Sequence, residues 1–165
     1  GGSWSGVKVI DTPFDKLTAP DGPPIMRMQE VQLVDILTSP SGKTILDFGQ
    51  NLVGWLQVTV AGPRGQEIKF VHAEGLEKSE LATGSLRNAA QTDTLIISGN
   101  GTLEWEPSFT YHGFRYVQVT GWPGEATALN ANSVTAIVVH SAMERTGYFH
   151  CSDHDNIVWS TRGNF

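Results

Sequence analysis

Trp55-Leu56-Gln57-Val58-Thr59-Val60, then Ala61-Gly62-Pro63-Arg64-Gly65, then Glu67-Ile68-Lys69-Phe70-Val71-His72-Ala73 is the stretch that decides the fold class. In the first run Leu56, Val58 and Val60 point one way while Trp55, Gln57 and Thr59 point the other. That period of two belongs to a β-strand with one face on a core. Ile68, Phe70 and His72 repeat the pattern, and the Gly-Pro-Arg-Gly tetrad between the runs predicts a hairpin.

The same reading extends in both directions. Residues 1–24 are turn-rich, broken by Pro13, Pro20, Pro23 and Pro24. Ile25 to Leu37 reads as one long extended segment, with a slip in phase near Gln29 and Glu30 that suits a β-bulge. Thr44 to Phe48, Thr92 to Ser98, Leu103 to Glu106, Phe114 to Thr120 and Val134 to His140 read as further strands. Gly99-Asn100-Gly101 predicts a second tight hairpin, because glycine and asparagine accept positive φ. Residues 75–91 have no clear period, and only Asp153 to Thr161 has helical character. Short strands at even spacing without intervening helices predict an all-β protein, an antiparallel β-sandwich of jelly-roll type with a short helical or irregular C-terminal tail.

Composition narrows the function. The 165 residues fit one domain and carry a formal charge of −6, with 11 scattered basic residues. Phosphate backbones require clustered Lys and Arg, so no nucleic-acid partner is expected. No apolar run reaches the roughly 20 residues of a membrane span, so no membrane partner is expected either. Cys151 is the single cysteine, which excludes an internal disulfide and leaves the compartment open, cytoplasmic or secreted. The opening Gly-Gly-Ser-Trp-Ser-Gly has no signal-peptide pattern.

No motif for intrinsic chemistry emerges. There is no G-x-S-x-G elbow, and His72, His112, His140, His150 and His154 are too dispersed to identify a base. His150-Cys151-Ser152-Asp153-His154 offers four metal donors, but a zinc site draws on separated ligand pairs, so a surface turn is the preferred reading. No metal, cofactor or catalytic residue is expected. Among the carboxylates, Asp47, Glu74 and Asp93 fall at strand edges, where loop bracing is the simplest role. Trp55 and Trp105 lie in strands and suit a core, whereas Trp122, in Gly121-Trp122-Pro123-Gly124, is expected to be exposed and available for stacking on a sugar.

Asp47-Phe48-Gly49-Gln50-Asn51-Leu52-Val53-Gly54-Trp55 resembles the DFGQN-x-x-GW signature of bacterial α-L-rhamnosidases. Later landmarks follow in that family's order: His72-Ala73-Glu74, Leu86-Arg87-Asn88, Thr92-Asp93-Thr94, Trp105-Glu106-Pro107 and Phe109 to Val117. The resemblance implies a concanavalin-like sandwich over residues 25–146, preceded by a lead-in over 1–24. It also implies that 147–165 is the entry to an (α/α)6 catalytic barrel whose acids lie beyond Phe165. The implied function is a non-catalytic module bracing that barrel in an enzyme acting on rhamnosyl glycosides. A free-standing carbohydrate-binding module and a sandwich with esterase-like activity are the rivals. Asp47, Gln50, Asn51, Trp55, His72, Glu74 and Trp122 are the candidates for sugar contact or loop bracing, and Arg115 is expected to pair with a carboxylate such as Glu106. An uncovered barrel-facing surface would favour self-association into a homo-oligomer.

Overall fold

A computed structural model describes residues 3–124, 129–147 and 152. Ten strands carry the fold: β1 (Ile25–Gln32), β2 (Asp35–Thr38), β3 (Thr44–Ala61), β4 (Glu67–Ala73), β5 (Leu76–Glu77), β6 (Glu80–Leu81), β7 (Thr92–Ile96), β8 (Thr102–Trp105), β9 (His112–Thr120) and β10 (Val134–Ser141). Eight of them form one sheet in the order β1-β10-β3-β9-β4-β7, with β2 and β8 joined to β3, while β5 and β6 make a separate two-stranded pair. Every pairing is antiparallel. The all-β expectation holds, and the layers of the sandwich arise by curling of one continuous sheet. Among the described residues no helix is long and apolar enough to cross a membrane.

The curl is built on β3, an 18-residue strand with four partners. Thr44 to Asp47 lies between β2 and β9, Gly54 to Val58 lies against β10, and Val58 to Ala61 against β8. Between its halves the register breaks: β3 advances from Asp47 to Leu52 while β9 moves only from Tyr116 to Phe114. The extra residues form a wide bulge, which bends the strand and increases its twist. Gly49 sits in it at φ 78, a conformation that costs a side-chain-bearing residue energy. Because of the bend, Leu46 before the bulge, Phe48 within it and Leu56, Val58 and Val60 after it enter the same core. There they meet Phe70 and Phe114. Phe48 and Phe114 pack edge to face with centroids 5.7 Å apart, a favoured arrangement of ring quadrupoles.

Three sequence expectations change. Both expected hairpins are absent, since β4 pairs with β7 and β9 rather than β3, and β8 pairs with β3 rather than β7. The Gly62–Gly65 and Gly99–Gly101 turns are where the chain crosses between parts of the sheet; the Gly65 N–H bonds the Ile97 carbonyl at 2.8 Å, tying one turn to the other. Ile25–Leu37 is two strands, with Leu33 and Val34 at the corner and the Val34 N–H bonding the Asp47 carbonyl. The predicted bulge near Gln29 is present, one residue early, between Arg27 and Gln29. Residues 3–24 contain no strand, only a single 3-10 turn at Phe14–Lys16. The segment from Asp153 to Thr161 lies outside the described residues.

Candidate functional site

Two polar clusters flank Phe114, and both arise from strand pairing rather than from sequence proximity. The first lies at the β3 bulge. Arg115 on β9 grips Asp47 with two parallel bonds, Nε to Oδ1 at 2.8 Å and Nη2 to Oδ2 at 3.0 Å. Such a fork is stronger and more directional than a single neutral bond. Asp47 Oδ1 also accepts the Gly49 N–H at 2.7 Å, which fixes the bulge from inside. Burial favours the neutral acid, yet the bonds from Arg115 and Gly49 outweigh it and hold the Asp47 carboxyl below its ordinary range. Asn51, at the end of the bulge, donates to Glu74 Oε1 at 3.1 Å.

Glu106, the partner expected for Arg115, is engaged elsewhere. It accepts the Trp55 indole N–H at 3.1 Å and pairs with Arg27 at 3.3 Å. The β3–β9 register places Asp47 opposite Tyr116, within reach of Arg115. Glu106 follows β8, whose Trp105 stands opposite Val58.

The second cluster joins β4, β7 and β9. His72 is completely buried, its ring stacked on His112 at 4.3 Å and edge-on to Phe114 at 4.9 Å. His72 Nδ1 bonds the Gln91 backbone carbonyl at 3.1 Å, and His112 Nδ1 lies 3.0 Å from Gln91 Oε1. His112 Nε2 lies 2.9 Å from Asp93 Oδ1, and His72 Nε2 lies 3.9 Å from Asp93 Oδ2. Burial, reinforced by the neighbouring His112, lowers the His72 pKa to about 4 against the opposing pull of Asp93. His72 is therefore neutral at pH 7. His72, Asp93 and His112 are also a donor set of metal-ligating type, with donor atoms within 4.8 Å of one another.

The structure thus brings Asp47, Asn51 and Glu74 into bracing contacts around one bulge and sends His72 to the second cluster. Gln50 is half-buried in the bulge. Trp55 is half-buried with its indole N–H already bonded. Trp122 is a correction: it is half-buried and packs against the core, because its turn folds onto the sheet. Asp93 falls at a strand edge, as its sequence position suggests, but nothing in the sequence shows its link to His112. The alternation of β4 did point His72 inward; nothing local reveals which residues of β7 and β9 face it. The hydrogen bonds of His72, His112 and His140 go to Gln91, Asp93 and the Ser141 carbonyl, with no serine hydroxyl among these partners, so a Ser-His-acid triad finds no support among the described residues. Of the His150–His154 cluster only Ser152 is described.

Residues 37–140 match the sequence profile of the bacterial alpha-L-rhamnosidase concanavalin-like domain. An alpha-L-rhamnosidase of Streptomyces avermitilis is 36% identical over 171 residues, covering 99% of this chain and 16% of that protein. The crystal structure of the native enzyme from Aspergillus terreus superposes with a TM-score of 0.84 at 60% identity, over 94% of this chain and 19% of that one. The Streptomyces avermitilis enzyme complexed with L-rhamnose gives 0.77 at 38% identity, over 87% of this chain and 14% of that one. The chain therefore spans about a sixth of the length of the relatives it matches.

Proposed function

Because the chain belongs to the bacterial α-L-rhamnosidase concanavalin-like domain family, we propose that it serves a longer α-L-rhamnosidase as a non-catalytic β-sandwich module bracing the catalytic barrel. One observation carries this reading: nearly the whole chain aligns with α-L-rhamnosidases, yet it accounts for only 16% of the curated Streptomyces relative. The site chemistry agrees with it. Asp47, Arg115, Asn51 and Glu74 use their charges on one another and on the bulge backbone, which stiffens the domain. In this reading residues 25–146 are the module, 1–24 the lead-in and 147–165 the approach to the barrel.

The exposed aromatic side chains of Phe109 and Tyr111, between β8 and β9, are the surface we assign to domain contact. Phe109 holds φ 61, unfavourable for a bulky residue, and its ring stands fully in solvent, where it is free to pack on another surface. In an isolated chain the same surface would promote self-association.

The two tryptophans singled out for sugar contact, Trp55 and Trp122, are both half-buried, which disfavours a binding module built on them. Isothermal titration of the chain with L-rhamnose at millimolar concentration is expected to give no heat beyond dilution. Saturable heat, lost in Trp122→Ala or Asn51→Ala, would replace the bracing role with sugar binding.

A further inference from the structure

We propose that His72, His112 and Asp93 form a binding site for a divalent transition-metal ion of the zinc type, with Gln91 holding both imidazoles in the ligating orientation. Both rings present Nδ1 to Gln91, one to its backbone carbonyl at 3.1 Å and the other to its side-chain oxygen at 3.0 Å. The Gln91 main-chain carbonyl only accepts, so His72 Nδ1 carries its proton and His72 Nε2 offers a lone pair on the side where Asp93 stands, while His112 Nε2 donates to Asp93 Oδ1. Zinc-binding histidines are fixed this way, the far nitrogen tied to a carbonyl so that the near one offers its lone pair.

The unsatisfied atom is His72 Nε2. It is fully buried and has no hydrogen-bond partner, and the nearest anionic oxygen, Asp93 Oδ2, is 3.9 Å away. A bare lone pair facing a carboxylate is repulsive, and a cation between them makes it attractive. Zinc ligands at about 2.0–2.2 Å from the ion lie roughly 3.5 Å apart in a tetrahedron, so the three donor atoms, within 4.8 Å of one another, must draw together and the two rings, stacked at 24°, must turn their edges towards the ion. On binding, the proton that His112 Nε2 donates to Asp93 leaves to water and the metal takes its place. Two imidazoles and one carboxylate suit zinc-type ions over calcium or magnesium, which prefer all-oxygen sets. The His112 and Asp93 side chains are 8% and 10% exposed, so the cluster is reached from solvent on their side. Such an ion would join β4, β7 and β9 at one point.

The test uses the whole chain, stripped with a chelator and titrated with Zn2+ by calorimetry, with thermal melting and Co2+ visible absorption as second readouts. The expected result is one ion per chain, a higher melting temperature, and d–d bands of four-coordinate Co2+. Asp93→Asn and His112→Gln should each weaken binding at least tenfold. His140→Gln and the double variant His150→Gln/His154→Gln should leave it unchanged. Absence of saturable binding at micromolar Zn2+ would overturn the proposal, as would affinity that survives Asp93→Asn but falls in the His150/His154 variant. Should the cluster variants fail to fold, the Co2+ spectrum of the His150→Gln/His154→Gln variant decides: bands of four-coordinate Co2+ support the site, and octahedral, water-like bands overturn it.

Discussion

Gly54→Ala is expected to prevent the chain from folding. Gly54 stands opposite Val138 where β3 meets β10, and a Cβ there would overlap the Ile137 carbonyl oxygen and lie 2.8 Å from its carbon. The obstacle is main chain, so no rotamer change relieves it. The strands would have to separate along a pairing that puts Leu56 and Val58 against Ala136 and Val134, all inside the core. Disrupting core strand pairing in this way belongs with the rare substitutions that cost more than about 4 kcal/mol. Gly75→Ala is the control, since its Cβ would meet nothing within 4 Å, and its cost should stay below about 1 kcal/mol. Urea denaturation followed by tryptophan fluorescence measures both. A cooperative Gly54→Ala transition within about 1 kcal/mol of the parent would show that β3 and β10 do not approach so closely.

The second large effect is acid destabilisation through His72. Its pKa is about 4 in the folded chain, against 6.5 for an unhindered histidine, chiefly because burial opposes the charged form. Between those values the unfolded chain takes up a proton that the folded chain refuses. Stability is thus complete above pH 6.5 and falls as the pH drops towards 4, by about 3 kcal/mol in all. The groups facing His72 are Asp93, His112 and the Phe114 ring. Asp47 adds its loss at lower pH, because a carboxyl held below its ordinary range contributes stability only while ionised. Denaturation in chelator from pH 7.5 to 4 should show this slope, and His72→Asn, which retains a donor near the Nδ1 position, should flatten it. An equally steep slope in the variant would assign the effect to other groups.

Much of this structure was legible in the sequence, and the boundary of legibility is physical. Alternation in Trp55–Val60 and Glu67–Ala73 reported which side chains face the core, because burial is a local demand on each residue. The β-branched run Val134–His140 likewise became β10, buried over most of its length. Strand partners were not local. A turn such as Gly99–Gly101 permits a hairpin but does not compel one, and β8 gains more by completing the far end of β3. The same limit hid the polar clusters. Arg115 met Asp47 instead of Glu106 because a bulge shifted the register between β3 and β9. Asp93 and His112 met His72 because β7 and β9 flank β4. Motif order identified the family, whereas the bonds that make the motif stiff needed the third dimension.

The central claim is that this chain contributes structure and not catalysis to rhamnoside hydrolysis. Incubating the purified chain with an aryl α-L-rhamnoside tests it most directly, with release of the aryl group followed over many hours. The expected result is release at the rate of buffer alone, with or without added Zn2+. Turnover that co-elutes with the folded chain through successive columns and disappears with Asp47→Asn or Glu74→Gln would contradict the claim, placing a working site on the sandwich itself.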